Sequence, residues 1–465
     1  MKQHIFPCRI VACSGIADAD RLLIKKDLQI AVREISTSRA EAGAYIILDF
    51  GKEMCGGLRI LTYTANATKI RIRLGESLGE CCSELGGERN ATNDHALRDF
   101  YTELTAYSDM VFGNSGFRFA RIDFFGEAQV KSIAAVNHIF TARQIYAYSG
   151  EDRLVADIFA TAKRTVDLCA SSGYIWDGIK RDKLVWIGDI YPEAIAMSTL
   201  YGRTRVMERS LEFACRTYPL PLWMNDFPTY SMWWVITLAD YYEKAGAVDF
   251  TRRHIKYLAG LVDQMLAHVA EDGTLKYPFI FVDWPSKGSP DEEKGSRAIN
   301  IIAAKRAIFL LSEFGLDTSA AKELLARLLK KEMSDITFKQ VLGLKYMALG
   351  KLSDAEKARL VEGGAAGMST FMSYFILKAV ASFDKPMAIK MMKDYYGAML
   401  CKGATTFWED FDVAWCEGSG RIDEPTPDGL RDIHGDYGAH CYIGFRHSLC
   451  HGWSAGVIRF IEEEL

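Results

Sequence analysis

No run of apolar residues in this chain reaches the roughly 20 that a bilayer-spanning helix needs, so no membrane span is expected. The opening residues, Met-Lys-Gln-His-Ile-Phe-Pro-Cys-Arg, lack a sustained apolar core with a small-residue cleavage site. No secretion signal is therefore read, and the cytoplasm is the expected compartment. Charge of one sign is also lacking. A net charge of −4 provides no basic face for nucleic acid or for an anionic membrane surface. Cysteine is present without a framework: the count of 11 is odd, only Cys81-Cys82 are adjacent, and no paired metal-ligand spacing occurs. That pattern fits reduced, mostly buried thiols, and neither a metal nor a cofactor is expected. The Asn-X-Thr sites at Asn66 and Asn90 are then chance matches. Tryptophan is absent from the first 175 residues, and all 9 lie beyond.

What is there is an ordinary globular composition, 49% apolar and 25% charged, over 465 residues, enough for two or three domains. Up to about Tyr148 the pattern is β. Strand-like runs include Ala44–Phe50, Leu58–Tyr63, Lys69–Leu74 and Phe117–Phe125, separated by Gly, Asn and Ser clusters. Ile70, Ile72 and Leu74 alternate with Arg71 and Arg73, which predicts one dry face and one wet face. The polar stretch from Glu84 to Ala96 reads as a long loop. Together these predict an antiparallel β-sandwich over residues 1–148.

Beyond Tyr148 the period becomes helical. About twelve segments follow: Leu154–Cys169, Ile190–Tyr201, Arg205–Thr217, Ser231–Ala245, Arg252–Ala270, Ala298–Phe314, Ser319–Lys331, Phe338–Leu349, Ala355–Glu362, Thr370–Phe383, Pro386–Met399 and Ser448–Glu463. Six antiparallel hairpins closed on themselves would make an (α/α)6 toroid over residues 149–465. An irregular α-domain satisfies the same helix count.

One stretch concentrates chemistry: Asp177-Gly-Ile-Lys-Arg-Asp182-Lys-Leu-Val-Trp186-Ile-Gly-Asp189. Its acids are all Asp, a weak helix former, and Gly178 and Gly188 interrupt any helix. A loop opening into a helix with Asp189 near the cap is predicted. Carboxylates accept hydroxyl hydrogen bonds, one can act as a general acid, and an indole can stack on a sugar face. The bland alternative is a capped, salt-bridged start of a helix. Several tryptophans sit in connections beside acids, as in Val282-Asp283-Trp284-Pro and Phe407-Trp408-Glu409-Asp-Phe-Asp, a placement that favours sugar binding over core packing.

These residues resemble the bacterial α-L-rhamnosidases, glycoside hydrolase family 78. The stretch above is similar to that family's Asp-X-X-X-Arg-acid…Trp-X-Gly-Asp signature. Gly403-Ala-Thr-Thr-Phe-Trp408-Glu409 is similar to its Ala-Thr-Thr-X-Trp-Glu element, and Ser448-Leu-Cys-His451-Gly-Trp to its Ser-Leu-X-His element. Asp49-Phe-Gly-Lys-Glu-Met-Cys-Gly-Gly57 and Ser115-Gly-Phe-Arg-Phe119 look like the sandwich preceding the family's six-hairpin toroid. The resemblance implies a carbohydrate partner and inverting hydrolysis of a terminal α-L-rhamnoside by two carboxylates. By position, Asp182 would be the general acid and Glu409 the general base. Asp177, Arg181 and Asp189 would hold sugar hydroxyls, Trp186 would line the pocket, and His451 would add a polar contact. Asp283-Trp284 matches another sugar-contacting element more loosely, and Trp408 accompanies the base.

Two departures mark a divergent branch. The acid is usually Glu, one methylene longer than Asp182, and the family's Cys-Pro-Gln is Gly178-Ile-Lys180 here. A C-terminal β-domain and extra N-terminal modules are not expected in this chain. As the acid, Asp182 is expected to be kept protonated by burial beside Trp186 or by neighbouring carboxylates. His451 reads equally as a core histidine, whereas Glu409, which would gain nothing obvious as a capping or ion-paired residue, reads as functional. Glu417, Asp423, Glu424 and Asp428 read as a mostly solvated loop. Alternatives to a rhamnosidase are a hydrolase for another terminal sugar or an unsaturated uronide, which would use Lys180, Arg181 and Lys183, or a catalytically weakened carbohydrate-binding protein. The oligomeric state is not read from the sequence.

Overall fold

The computed structural model describes residues 1–25, 37–440 and 442–465. Seven strands come first: β1 (Lys2–Ile5), β2 (Arg9–Ala17), β3 (Ser38–Thr62), β4 (Thr68–Gly75), β5 (Asp99–Leu104), β6 (Asp109–Phe124) and β7 (Ala128–His138). They belong to one hydrogen-bonded sheet of order β1-β7-β3-β6-β4-β5, with β2 on β3. The expected sandwich is thus built from a single sheet folded over. The cause lies in two long strands. Between Asp49 and Met54 the register of β3 slips against β6, a bulge that bends both. Val130 on β7 pairs with Ser38 and with Thr62, so β3 returns to flank β7 on both sides. Ile46 and Leu48 before the bulge share one core with Leu58 and Ile60 after it, and with Ile70, Ile72 and Ile133.

The dry face of β4 is as predicted, but its opposite face is not wet. Arg73 has only 4% of its side chain exposed and pairs with Glu84 and Asp123, while Arg71 pairs with Asp99 and Glu84. A short helix, α1 (Leu78–Cys82), packs on β4, and Arg98 from the following loop donates to the Glu80 carbonyl.

The rest is helical: α2 (Arg153–Cys169), α3 (Ile190–Tyr201), α4 (Arg205–Thr217), α5 (Pro228–Ala245), α6 (Val248–Ala267), α7 (Glu292–Glu313), α8 (Ser319–Leu328), α9 (Lys339–Leu349), α10 (Asp354–Val361), α11 (Ser373–Ala381), α12 (Lys385–Cys401) and α13 (Val457–Glu464). No strand falls between residues 152 and 383. Alternate helices touch in cyclic order: α3 on α5, α5 on α7, α7 on α9, α9 on α11, α11 on α13, and α13 back on α3. Every residue of α3 is buried, as expected for a helix apolar on all sides with neighbours all round. By contrast α4 buries one stripe, Val206, Met207, Ser210, Leu211, Ala214 and Cys215. Among the described residues no helix is long and apolar enough to cross a membrane. The ten described cysteines are unpaired, and five of them are buried.

The Asp49 and Ser115 motifs mark the junction of the two halves. Arg118 donates to both carboxylate oxygens of Asp49 (2.9 and 3.1 Å) and to Asp423 (3.3 Å) from the helical part. The Glu53 amide donates to Thr405 Oγ1 at 2.8 Å, and Ser115 Oγ to the Lys180 carbonyl at 2.8 Å. These motifs therefore dock the sheet against the Asp177 loop and the Gly403–Glu409 segment.

Candidate active site

The segment from Ser171 to Asp189 forms the predicted loop, and α3 starts at Ile190 with Asp189 in the cap position. Asp189 does not cap: its carboxyl instead accepts from Tyr230 Oη at 2.6 Å. Gly188 allows this approach, because a Cβ there would sit 2.3 Å from the Tyr230 ring. Asp177 closes the loop on itself, accepting from the Leu184 amide at 3.0 Å while its own amide donates to the Leu184 carbonyl. Its carbonyl takes the Gly452 amide at 2.8 Å, tying the loop to the Ser448 segment. Lys180 explains one departure from the family pattern. Its buried ammonium reaches Glu80 at 2.9 Å and Glu76 at 3.6 Å and donates to the His447 carbonyl at 2.8 Å. Glu76, Glu80 and His434 bring three metal-capable atoms together. Lys180 sits on that acidic pair, and both His434 nitrogens are engaged by Ser77 and the His447 carbonyl.

Glu409 is held on both carboxylate oxygens. Arg181 Nη2 donates to both its oxygens at 2.6 and 2.7 Å, and the Ser448 amide donates to Oε2 at 2.9 Å. Its main chain is pinned as well, since Trp453 Nε1 donates to its carbonyl at 2.9 Å and its amide donates to the Ser448 carbonyl. His451 Nε2 lies 3.5 Å from Glu409 Oε1, its ring packs on Trp453 at 4.1 Å, and burial keeps its pKa well below the ordinary value. The other guanidinium nitrogen of Arg181, Nη1, donates to Asp182 at 2.9 Å. One planar guanidinium thus bonds both carboxylates, which places their nearest oxygens within about 8 Å of each other.

Asp182 differs from expectation in its surroundings. Its polar partners are Arg181 and His95, whereas the ring of Trp186 packs edge-on against Phe227 and Tyr230. Backbone geometry accounts for this: Asp182 and Lys183 both adopt positive φ, of 55° and 53°, turning the chain at that point.

A cavity of about 470 Å³ opens beside Glu409. Of the ten residues expected to form the site, Glu409, Asp283 and Trp284 line it. Arg181 and His451 stand behind Glu409, and Asp177 and Asp189 are engaged by the loop and by Tyr230. Trp408 is fully buried and does not line the cavity, its ring wedged edge-on against Phe411 and His447. Of the nine tryptophans, Trp284, Trp415 and Trp453 line the cavity, while Trp233 and Trp234 are core residues of α5. Asp410, Tyr230 and Tyr442 also face the cavity and were not singled out from the sequence. Asp410 had a local signal, its place beside Glu409, whereas Tyr230 lies in an apolar helix and Tyr442 in a polar loop. In the loop read as solvated, Glu417, Glu424 and Asp428 are exposed, but Asp423 pairs with Arg118 where the sheet meets the helices.

Burial raises Asp177, Asp189, Asp283 and Asp410 above the ordinary carboxyl value of 3.8. Asp177 reaches about 7 and Asp283 about 6; Asp410 reaches about 6, with the Glu409 and Asp412 charges adding to the burial. A carboxyl raised in the folded state contributes stability that is complete below its unfolded value and is lost as pH rises through the folded one. Stability is therefore expected to fall between about pH 4 and pH 7. Asp177→Asn keeps an acceptor for the Leu184 amide but cannot ionise. Urea midpoints of this variant should decline less from pH 5 to pH 8 than those of the parent, and an unchanged slope would reject the assignment.

Several solved structures share this architecture. A rhamnosidase from Klebsiella oxytoca with rhamnose bound superposes at TM-score 0.74 and 19% identity, over 100% of this chain and 96% of that one. The chain has the α-L-rhamnosidase fold. A GH78 family rhamnosidase from Bacillus sp. GL1 matches at TM-score 0.70 and 17% identity, over 93% of this chain and 47% of that one. The Streptomyces avermitilis α-L-rhamnosidase complexed with L-rhamnose matches at TM-score 0.61 and 15% identity, over 90% and 42%. The chain spans nearly the full length of the Klebsiella enzyme and about half of the other two. No protein-family profile and no curated protein matches the sequence. The resemblance read from short motifs thus holds at the level of fold, in a divergent chain.

Proposed function

We propose that this protein is an inverting glycoside hydrolase acting on a terminal α-L-rhamnoside, built on an (α/α)6 toroid of six hairpins over residues 149–465. The cyclic contacts of alternate helices support the toroid. The observation that carries the mechanism is the single guanidinium of Arg181 joined to Glu409 and to Asp182. The upper bound of about 8 Å on the distance between their nearest oxygens is compatible with the roughly 6.5–9.5 Å that an inverting pair leaves for substrate and water. Glu409, on the cavity wall, activates the water, and Asp182 protonates the glycosidic oxygen. Arg181 and His451 orient Glu409. Asp283, Asp410, Tyr442 and Trp284 are the groups that face a sugar, with Trp284 held by its Nε1 donating to Tyr442 Oη at 3.0 Å.

A uronide is less well served. None of Lys180, Arg181 and Lys183 lines the cavity, and Lys339, which does, donates its ammonium to the carbonyls of Glu362, Gly364 and Ala366. The test is a screen of 4-nitrophenyl glycosides, the α-L-rhamnoside first, with the product anomer followed by NMR in the first minutes. Release of β-L-rhamnose is expected. Cleavage of a different glycoside alone would reject the sugar, a retained anomer would reject the mechanism, and sugar binding without cleavage would favour a binding protein.

A further inference from the structure

The loop between α1 and β5 belongs to the β domain, yet it reaches the proposed acid. His95 Nδ1 contacts Asp182 Oδ1, and His95 Nε2 lies 3.0 Å from Asp94 Oδ1. Asp94 in turn accepts from Arg446 at 2.8 and 2.9 Å, and the Arg446 carbonyl accepts from Arg181 Nε at 3.0 Å. A closed chain of contacts thus runs Asp182, His95, Asp94, the Arg446 side chain, its carbonyl, Arg181 and back to Asp182. Once Asp182 has given up its proton, both imidazole nitrogens face carboxylate oxygens, which only accept, so both bonds form only when each nitrogen carries a hydrogen. His95 is 47% exposed, whereas Asp182 is 14% exposed. Solvent therefore reaches the imidazole more readily than the acid it touches.

The charges explain why such a partner is needed. The Arg181 guanidinium at 2.9 Å attracts the carboxylate form of Asp182, the form unable to protonate a leaving group. We propose that His95 acts through Asp182 as a positioning residue that also reloads it with a proton in every turnover. This rests on the reading of Asp182 as the acid. In the bond-breaking step the Asp182 proton passes to the glycosidic oxygen as the anomeric carbon–oxygen bond breaks. The attacking water forms the new bond and gives its proton to Glu409. Glu409 then releases that proton to water, His95 passes its Nδ1 proton to the Asp182 carboxylate, and the imidazole takes one back from solvent. Protons balance over the cycle, and no other reactant is required. The groups facing His95 are Asp94 and Asp182, with Arg181 and Arg446 beyond them.

The test compares the full-length protein with His95→Ala and His95→Asn on an alkyl α-L-rhamnoside and on 4-nitrophenyl α-L-rhamnoside. For His95→Ala the loss in kcat should be about tenfold or more larger on the alkyl substrate, whose leaving group needs the proton. Added imidazole should restore part of it. His95→Asn keeps a donor toward Asp182 but has no proton to relay, so it should remain as slow as His95→Ala on the alkyl substrate. Equal losses on both substrates, or full recovery in His95→Asn, would overturn the relay. A second readout does not depend on activity: the His95 ring signals should move in the NMR spectrum of Asp182→Asn while those of His138 stay. Ring signals that do not move would overturn the proposal. Signals that move in a protein that cleaves no glycoside would support the linked pair and reject the hydrolase reading instead.

Discussion

Glu409→Gln is expected to lower turnover of every cleavable rhamnoside by about 10²–10⁴-fold, whatever its leaving group. Water attack is required for an aryl and for an alkyl substrate alike, and an amide cannot take the proton of the attacking water. The fold should survive. The pinning of residue 409 comes largely from its main chain, through Ser448, Trp453 and the Thr370 hydroxyl at 2.5 Å, and none of these bonds needs the carboxylate. Circular dichroism and the thermal midpoint would show whether structure is kept. Arg181 keeps only Asp182 as a charged partner, so a loss of stability of up to several kcal/mol is expected. Turnover within tenfold of the parent on both substrate types would remove Glu409 from the reaction.

Asp182→Asn should separate the substrates. On a rhamnoside with a sugar or alkyl leaving group, kcat is expected to fall about 10²–10³-fold, because the leaving oxygen departs without its proton. On 4-nitrophenyl α-L-rhamnoside the loss should stay below about tenfold, since that phenolate leaves unaided. Asparagine is close to aspartate in size and can still accept from Arg181, so this contrast reports proton supply rather than shape. Equal losses on both substrates would reject the acid role for Asp182, which does not itself line the cavity, and return attention to Asp283, Asp410 and Asp412, which do.

Much of the fold was legible because local rules sufficed. The limits of α3 and α4 match the sequence reading residue for residue, as period and flanking glycine or threonine allow. Ser448–Glu463 was read as one helix, but only Val457–Glu464 is α-helical. Its first residues instead run beside the Asp177 loop, where Gly178 bridges His451. A Cβ on Gly452 would also meet the Glu193 carboxyl at 2.1 Å. That contact comes from a helix 259 positions earlier, so no local pattern announces it. The same holds for Asp182. Its spacing from Arg181 and Asp189 was readable, but its turn toward His95 depends on a loop of the sheet half that the sequence presents as plain polar chain. Trp408 failed for a related reason: a tryptophan beside acids reads as a platform, yet the backbone turns its indole inward.

The place of Lys180 bears on how such a molecule can change over generations. Its ammonium sits in the helical half and the two glutamates that hold it, Glu76 and Glu80, lie in the sheet half. A neutral residue at 180 would strand two buried acids, and a neutral pair at 76 and 80 would strand a buried cation, either way a cost of several kcal/mol. The halves therefore cannot drift or be exchanged between relatives independently. A hybrid carrying a foreign sheet would have to inherit the lysine's partners along with it, and this lock lies in the very loop that carries Arg181 and Asp182.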